Sequence, residues 1–166
     1  GSDGTTSYGY DAAGRLAGVS LPGSTSLTFA YDGDGNRLSK AMTSGNTTDL
    51  TQYVWDVNGG LPQVLMQSNA TTETGLYTYG LQRISMTDLS GGQIYYQYDG
   101  LGSVRDLSDG SGNTASTYSY DAFGEPDLIT GQVDNDFRFT GEQMDAETGL
   151  IYLRARYYDP ETGRFI

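Results

Sequence analysis

The sequence predicts an all-β protein in which repeated β-hairpins, about 21 residues each, form a curved, solenoid-like antiparallel sheet. Three observations support this fold class. The composition favours strands and tight turns, with 14 tyrosines and 24 glycines among 166 residues. Aromatic or apolar residues occupy every second position before the turns, as in Tyr8-Gly9-Tyr10. A tyrosine–aspartate unit also recurs along the chain, which is typical of a repeat architecture.

The recurring unit is an aromatic residue and an aspartate, two or three variable residues, a glycine, and often an arginine before an apolar residue. The aromatic position returns about every 21 residues, with a longer interval between Tyr120 and Tyr158. A diverged copy at Tyr79 lacks the aspartate. The candidate structural residues of the repeat are Tyr10, Asp11, Gly14, Tyr31, Asp32, Gly35, Trp55, Asp56, Tyr98, Asp99, Gly102, Tyr120, Asp121, Gly124, Tyr158, Asp159 and Gly163.

Each unit is predicted to be a β-hairpin. The aspartate side chain begins the turn by accepting hydrogen bonds from backbone amides of the residues that follow it. The glycine ends the turn with a positive φ. Strands are expected before the turns at 8–10, 27–31, 96–98 and 118–120, and returning strands at 16–19, 104–107 and 150–153. A second set of turns is expected at 21–24, 44–46, 90–92 and 109–113. The segment 141–152 is the one place where a single helical turn is expected.

Composition excludes several classes of function. The formal charge of −12 argues against a nucleic-acid backbone binder, which needs a basic surface. The absence of cysteine and histidine excludes disulfide frameworks, Cys/His zinc sites and His-based triads. No apolar run reaches the roughly 20 residues of a membrane-spanning helix, and no signal peptide is recognisable in this chain. We therefore expect no membrane insertion, no cofactor and no metal.

From residue 98 onwards the sequence resembles the rearrangement-hotspot (Rhs) and YD-repeat family in the whole order of its segments. The similar segments are 98–105 (YDGLGSVR), 137–141 (FRFTG), 147–150 (ETGL), 155–160 (ARYYDP) and 163–165 (GRF). Residues 8–97 share only the recurrence of the Tyr-Asp unit. On this basis we predict diverged YD repeats over 1–97 and Rhs-associated core-like repeats over 98–166, together forming one continuous β-repeat domain.

The resemblance implies a shell. In that family the repeats wind as a long sheet into a hollow shell, which commonly encloses a C-terminal toxic domain, and members are secreted or displayed at bacterial surfaces. Many members cleave themselves with aspartates beyond the Gly-Arg-Phe motif, assisted by an arginine that Arg156 matches. This chain stops at Ile166 with few repeats, so we expect a fragment without the cleavage segment and the toxin, in which Arg156 is a relic of self-cleavage.

Acidic residues offer alternative chemistry that the sequence makes less favourable. Asp32, Asp34 and Asn36 match positions 1, 3 and 5 of a calcium loop, but Arg37 and Thr43 stand where that loop needs glycine and glutamate. A structural turn is the preferred interpretation. The pairs Asp145 and Glu147, and Asp134 and Asp136, have the composition of an acid and a base, but 21 carboxylates produce such neighbours by chance. Arg154 and Arg156 are expected to bond a neighbouring hairpin.

The repeated tyrosines and Trp55 favour a cross-strand aromatic ladder over a sugar-binding surface, although glycan binding stays open. Asn46 and Asn69 begin two matches to the glycosylation pattern, which a threonine-rich chain produces by chance.

The first functional hypothesis from the sequence is a structural, non-catalytic protein. The chain begins and ends within the repeat pattern, so open strand edges are expected to pair head-to-tail with further copies in an extracellular, bacterial filament or tube. The alternatives are a fragment of an Rhs toxin-encapsulating shell and a glycan-binding surface adhesin. The expected partner is the chain itself, with no nucleic acid.

Overall fold

A computed structural model of the chain describes residues 4–69, 73–87 and 90–166. The chain divides into two compact units, Gly1–Thr74 and Gly75–Ile166. The division at residue 97 that the sequence suggests, and the single continuous domain, stay predictions.

The first unit is an antiparallel meander in which each strand pairs with the next along the chain. Its loops are short, so consecutive strands are neighbours in space. The strands are β1 (Ser7–Tyr10), β2 (Leu16–Leu21), β3 (Thr25–Tyr31), β4 (Arg37–Ser44), β5 (Thr47–Asp56) and β6 (Gln63–Asn69).

The second unit holds a similar meander and a separate small sheet. The meander strands are β7 (Glu73–Tyr79, which begins just before the unit boundary), β8 (Arg83–Thr87), β9 (Gln93–Tyr98), β10 (Val104–Asp109), β11 (Thr114–Tyr120) and β12 (Pro126–Gly131). After a 3₁₀ turn at Phe139–Gly141, the small antiparallel sheet comprises β13 (Gln143–Asp145), β14 (Leu150–Leu153), β15 (Arg156–Asp159) and β16 (Arg164–Phe165).

These elements confirm the predicted all-β fold of repeated antiparallel hairpins. Burial follows the period of two seen in the sequence: in β9, Ile94 and Tyr96 are buried, whereas Tyr95 and Gln97 are exposed. One face of each meander therefore supplies the core. Among the residues that the structure describes, no helical segment combines the length and the hydrophobicity that a membrane span requires.

A β-bulge lies beside the aromatic residue of each hairpin in the two meanders. The register shifts between Ala30 and Tyr31, for example, and between Ser119 and Tyr120. A bulge bends its strand and re-aims the next side chain. At Tyr31 and Tyr120, the aromatic side chain is thereby turned towards the preceding hairpin.

The long interval between Tyr120 and Tyr158 has a structural cause at Gly131, where the chain leaves the meander. Gly131 has a φ of +86°, and a Cβ there would clash with the carbonyl oxygen of Ala115. Only glycine fits this close approach. The residues that lengthen this interval form the segment that leads from β12 to the small sheet, and most of that sheet.

The segment 141–152, where one helical turn is expected, forms the hairpin of β13 and β14. The turn between these strands is helix-like over one bond, because the Gly149 N–H donates to the Asp145 carbonyl at 2.8 Å. The predicted returning strand at 150–153 is β14.

Replacing Gly131 with alanine is expected to lower the free energy of unfolding by about 2 kcal/mol or more, because the new methyl group meets the Ala115 carbonyl at a positive φ. Gly110→Ala is the matched control, since no atom lies within 4 Å of its added Cβ. Denaturant unfolding of both variants, with amide hydrogen exchange on β11 and β12, measures the effect. Equal stability of the two variants would contradict the close approach.

Candidate functional site

The Asp99 turn shows how each hairpin turn is built. Oδ1 of Asp99 accepts the amides of Leu101 (3.0 Å) and Ser103 (2.9 Å). The Asp99 N–H donates to the Ser103 carbonyl, and the Gly102 N–H donates to the Asp99 carbonyl. One carboxylate therefore orders four residues of backbone. The same bonds to the second and fourth residues ahead form at Asp11, Asp32, Asp109 and Asp121.

Two aspartates make variants of this turn. Asp56 accepts the amide of Asn58 at 2.9 Å in a longer turn. Asp159 accepts the amides of Glu161 and Thr162, and its Oδ2 accepts the Thr162 hydroxyl at 2.8 Å. The turn glycines with positive φ include Gly14, Gly35, Gly102, Gly124 and Gly163.

A hydrogen bond from the repeat aromatic joins one hairpin to the hairpin before it. The hydroxyl of Tyr98, the last residue of β9, donates to the carbonyl of Arg83, the first residue of β8, at 2.8 Å. We call this bond the aromatic clamp. The equivalent clamps are Tyr31 to Leu16 (2.6 Å), Trp55 Nε1 to Arg37 (2.8 Å) and Tyr120 to Val104 (2.9 Å).

In all four clamps the acceptor is the first residue of a returning strand. A carbonyl there lies beside a bulge, where the ladder is locally disrupted. Tyr10 lies on the exposed strand β1, with a 49% exposed side chain. Tyr158 donates instead to the carbonyl of Phe123, in the turn before β12, and so attaches the small sheet to the meander.

Arg83 is buried in the second unit within a box of aromatic rings. Its guanidinium carbon lies 3.3 Å from the ring centroid of Phe137, and between 5.3 and 5.4 Å from those of Tyr77, Tyr79 and Tyr96. It donates to the Tyr79 hydroxyl and to the Gly141 carbonyl. Ring faces and neutral oxygens together compensate the loss of water around this cation.

Residues 135–142, here called the strap, cross the second meander on their way to the small sheet. The Val104 N–H donates to the Arg138 carbonyl, and the Thr140 N–H donates to Ser103 Oγ. The Tyr96 hydroxyl donates to Asn135 Oδ1 at 2.9 Å. With the Arg83 bond to Gly141, these contacts fix the strap over β8, β9 and β10.

The first unit contains a comparable buried arginine. Arg37 is fully buried, with its guanidinium 4.9 Å from the Tyr53 ring centroid and 5.5 Å from that of Phe29. Its backbone carbonyl is the acceptor of the Trp55 clamp. The arginine position of the repeat thus contributes both a side chain to the core and a carbonyl to the clamp.

Burial raises the pKa of two clamp tyrosines, Tyr98 and Tyr120. It raises the pKa of Tyr98 to about 12 and shifts that of Tyr120 further upwards, so both phenols stay protonated donors across the physiological range. Hydrogen bonds from the Arg15 amide and side chain lower the pKa of Asp11. Hydrogen bonds from Asn113 lower that of Asp109 in the same way.

Among the carboxylates that suggested other chemistry, Asp32 has a structural role in its turn. Asp32 accepts hydrogen bonds from Asp34 and Asn36 within its turn, and hydrogen bonds lower its pKa despite the opposing effect of burial. Asp145 is buried in β13, and Asp134 is exposed. In the ranges described, no group of three or more acidic residues is placed to hold a metal ion.

Arg154 and Arg156 contact side chains of the second unit. Arg154 pairs with Glu142 at 2.8 Å. Arg156 is exposed, and its guanidinium lies 3.9 Å from the Phe165 ring centroid. Its assignment as a relic of self-cleavage stays a prediction.

The structure describes most residues of the candidate sugar-binding surface and of the two glycosylation matches. Tyr8 and Tyr95 are each 40% exposed, whereas the Trp55 indole N–H is engaged in a clamp. Asn46 lies in the exposed turn between β4 and β5. The Asn69 match extends outside the described residues, since its threonine is not among them. The aromatic ladder stays the prediction, and glycan binding stays its untested alternative.

The sequence reasoning missed Arg37, Arg83 and the strap residues as parts of this network, and it predicted the turn at 109–113 without singling out Asp109. The signal for the arginines was present, because arginine follows the turn in several repeats. Asp109 has the aspartate and glycine spacing of the repeat without its tyrosine. Nothing in the local sequence indicates that Asn135 bonds Tyr96, which lies 39 positions earlier.

Comparison with known proteins shows which family and which relatives the chain resembles. The family model described as teneurin YD-shell matches residues 4–166. The chain is 39% identical over 173 residues to the tRNA3(Ser)-specific nuclease WapA of Bacillus spizizenii, covering 99% of this chain and 7% of that protein. It is 26% identical over 200 residues to the double-stranded DNA deaminase toxin A of Burkholderia cenocepacia, covering 100% of this chain and 14% of that protein.

Solved structures share the fold. The crystal structure of TcdB2-TccC3-Cdc42 matches with a TM-score of 0.77 at 21% identity, over 96% of this chain and 9% of that chain. The crystal structure of TcdB2-TccC3 without its hypervariable C-terminal region gives a TM-score of 0.73 at 22% identity, with the same coverage. The chain thus spans less than a tenth of the length of these structures.

Clamped tyrosine–aspartate hairpins define a YD-repeat β-sheet protein, and the comparisons confirm the resemblance to the YD-repeat proteins. The chain belongs to the teneurin YD-shell family.

Removing one clamp should weaken the second unit measurably. Tyr98→Phe is expected to lower the free energy of unfolding by about 1 to 2 kcal/mol, because the Arg83 carbonyl loses its donor. Tyr95→Phe, in the same strand but 40% exposed, should change it by less than about 0.5 kcal/mol. Urea unfolding followed by circular dichroism measures both, and equal losses would contradict the clamp.

Arg83→Met should lower the free energy of unfolding by about 2 to 4 kcal/mol, because the two hydrogen bonds and the ring contacts of the cation are lost together. Hydrogen exchange should show faster exchange at strap amides such as Thr140. Arg164→Met on exposed β16 is the control and should leave both quantities unchanged. A strap that stays protected in Arg83→Met would contradict the anchoring role.

The turn aspartates should make stability fall in acid. Hydrogen bonds within each turn lower the pKa values of Asp11, Asp32 and Asp109 in the folded chain. Their stabilisation is therefore full above the unfolded pKa and is lost as the pH falls through the lower folded values. Urea unfolding between pH 6 and 2.5 should show this decline, with a shallower slope for Asp32→Asn. Asp34→Asn controls for the loss of one negative charge, and an unchanged slope in Asp32→Asn would contradict the assignment.

Proposed function

We propose that the chain is a segment of the wall of a YD-repeat shell belonging to a bacterial toxin system. The observation that carries the proposal is the clamp, which joins hairpin to hairpin by one recurring bond and so suits a long continuous sheet. The match to the YD-shell family over residues 4–166 supports it. Relatives named as toxins, in Burkholderia cenocepacia among others, support the toxin context.

A wall segment must be stable without enclosing a reactive centre, and the side chains fit that role. The buried and half-buried polar groups at the strap and the clamps bond to backbone or to one another. The strap ties the second meander to the small sheet that follows. A wall of this kind is held by its own backbone and needs no disulfide, in agreement with the absence of cysteine.

The chain itself is proposed to be non-catalytic. The nuclease and deaminase activities in the names of two relatives belong to proteins of which this chain covers 7% and 14%. Nucleic acid is an unsuitable partner on charge grounds, because the formal charge is −12 and the basic side chains of Arg37, Lys40 and Arg83 are buried.

The proposed partners are other parts of the same shell and the cargo it encloses. The proposed location is outside a bacterium or at its surface, in keeping with relatives that are toxins. The head-to-tail filament expected from the sequence is the second candidate, since strand β1 presents four exposed residues at a sheet edge. The family match favours the shell over the filament.

Light scattering and negative-stain microscopy of the 166-residue chain distinguish these two candidates. The shell proposal predicts a 17.9 kDa monomer without regular filaments, because a wall segment pairs with other parts of its own shell. Regular filaments or tubes at micromolar concentration would overturn it in favour of self-assembly.

The shell function is tested in the longest natural polypeptide that contains this segment. Arg83→Met should expose the enclosed cargo to added protease at least tenfold faster than the parent, because the strap is released. Arg164→Met is the matched surface control and should digest at the parent's rate. Equal digestion of cargo in both variants would contradict a wall function.

A further inference from the structure

The outer edge of β12 is an open strand edge in the second unit. β12 pairs with β11 on one side, and it is the last strand in the order of its sheet. The chain then diverts at Gly131 and forms the small sheet separately. Every second residue of an edge strand directs its N–H and C=O groups away from the sheet. β12 therefore offers backbone hydrogen-bonding groups to an added strand.

The side chains of β12 favour an added strand with apolar residues at its centre. Residues 127–131 are all exposed. Leu128 is 52% exposed and Ile129 is 44% exposed, and adjacent residues of a strand point to opposite faces. An added strand would therefore find an apolar neighbour on each face. A lysine on an edge strand commonly prevents such pairing. The single lysine of the chain, Lys40, is instead buried in the first unit.

The negative charge around β12 indicates the charge of the strand that would bind there. Residues 121–137 contain five carboxylates and neither lysine nor arginine. Asp121, Glu125, Asp127 and Asp134 are exposed. Burial and the neighbouring carboxylates of Glu161, Asp121 and Asp159 raise the pKa of Glu125, which reflects a concentrated negative potential at this end of the strand. Complementarity requires positive charge on the partner.

We propose that the outer edge of β12 binds an extended, basic peptide segment, with apolar residues at its centre and lysine or arginine on its flanks, as an additional strand. Backbone bonds along the edge supply affinity, and the acidic flanks select for charge. This inference does not depend on the shell function, because it rests on strand pairing and charge alone.

The probe is a fluorescein-labelled nonapeptide, Lys-Lys-Thr-Val-Thr-Val-Thr-Lys-Lys, titrated with the 166-residue chain by fluorescence anisotropy. We expect saturable binding that weakens at least tenfold when glutamate replaces the four lysines. A peptide N-methylated on both valines cannot donate from those positions, and it should also bind at least tenfold more weakly. Equal binding of the N-methylated peptide would overturn strand addition, because charge alone would then explain the affinity.

The binding edge is located by a matched pair of variants. Ile129→Lys places a charge on the open edge and should weaken binding of the lysine peptide at least tenfold. Ile84→Lys is the control: its side chain is 47% exposed on β8, which is paired on both sides. The control should bind like the parent. No effect of Ile129→Lys in a folded chain would overturn the proposal.

Two further measurements test the charge selection and the occupant of the edge. If Ile129→Lys does not fold, the double variant Asp127→Asn and Asp134→Asn should weaken binding of the lysine peptide at least threefold, and an unchanged affinity would contradict the charge selection. Light scattering without peptide tests whether a second copy occupies the edge. A dimer that Ile129→Lys converts to a monomer would overturn the basic-peptide assignment.

Discussion

The structure depends on one recurring kind of hydrogen bond, which runs from the aromatic residue at the end of a hairpin strand to the first carbonyl of the preceding returning strand. Tyr31, Trp55, Tyr98 and Tyr120 all make this bond. The ladder is disrupted by a bulge where the turn begins, so this end of the hairpin needs another tie to its neighbour. The clamp supplies it from a residue that also buries a ring. Because a clamp reaches only the adjacent hairpin, the energetics of such an array follow a nearest-neighbour rule.

Buried arginines are the second recurring component, and they act through ring faces as well as through hydrogen bonds. Arg37 lies between Phe29 and Tyr53, and Arg83 lies among four rings. A buried cation without compensation is strongly destabilising. The planar, weakly hydrated guanidinium tolerates stacking on aromatic rings better than the compact ammonium of lysine. The tyrosine-rich core and the arginine after the turn are therefore two parts of one arrangement.

The sequence predicts the fold class and the hairpins well, because both depend on local rules. Alternation of aromatic residues reports strands, and Asp with Gly at fixed spacing reports turns whose bonds span four residues or fewer. The clamps and the strap escape local reasoning. The Tyr98 bond to Arg83 spans 15 positions and the Arg83 bond to Gly141 spans 58, so neither leaves a short-range pattern. Gly131 is similar, since its need for glycine comes from the backbone of a neighbouring strand.

The aspartate turn has a consequence for how such a chain can diversify. Its geometry is held by one carboxylate, the backbone amides and a glycine, so the side chain two places after the aspartate takes no part. That position is Ala13, Asp34, Leu101 or Phe123 in different hairpins, and Leu101 and Phe123 are more than half exposed. This position can therefore vary without disturbing the turn. The chemistry of the exposed turns can change while the strands keep their structure. Phe123 shows one product of that freedom: its ring packs against Gly163 of the small sheet.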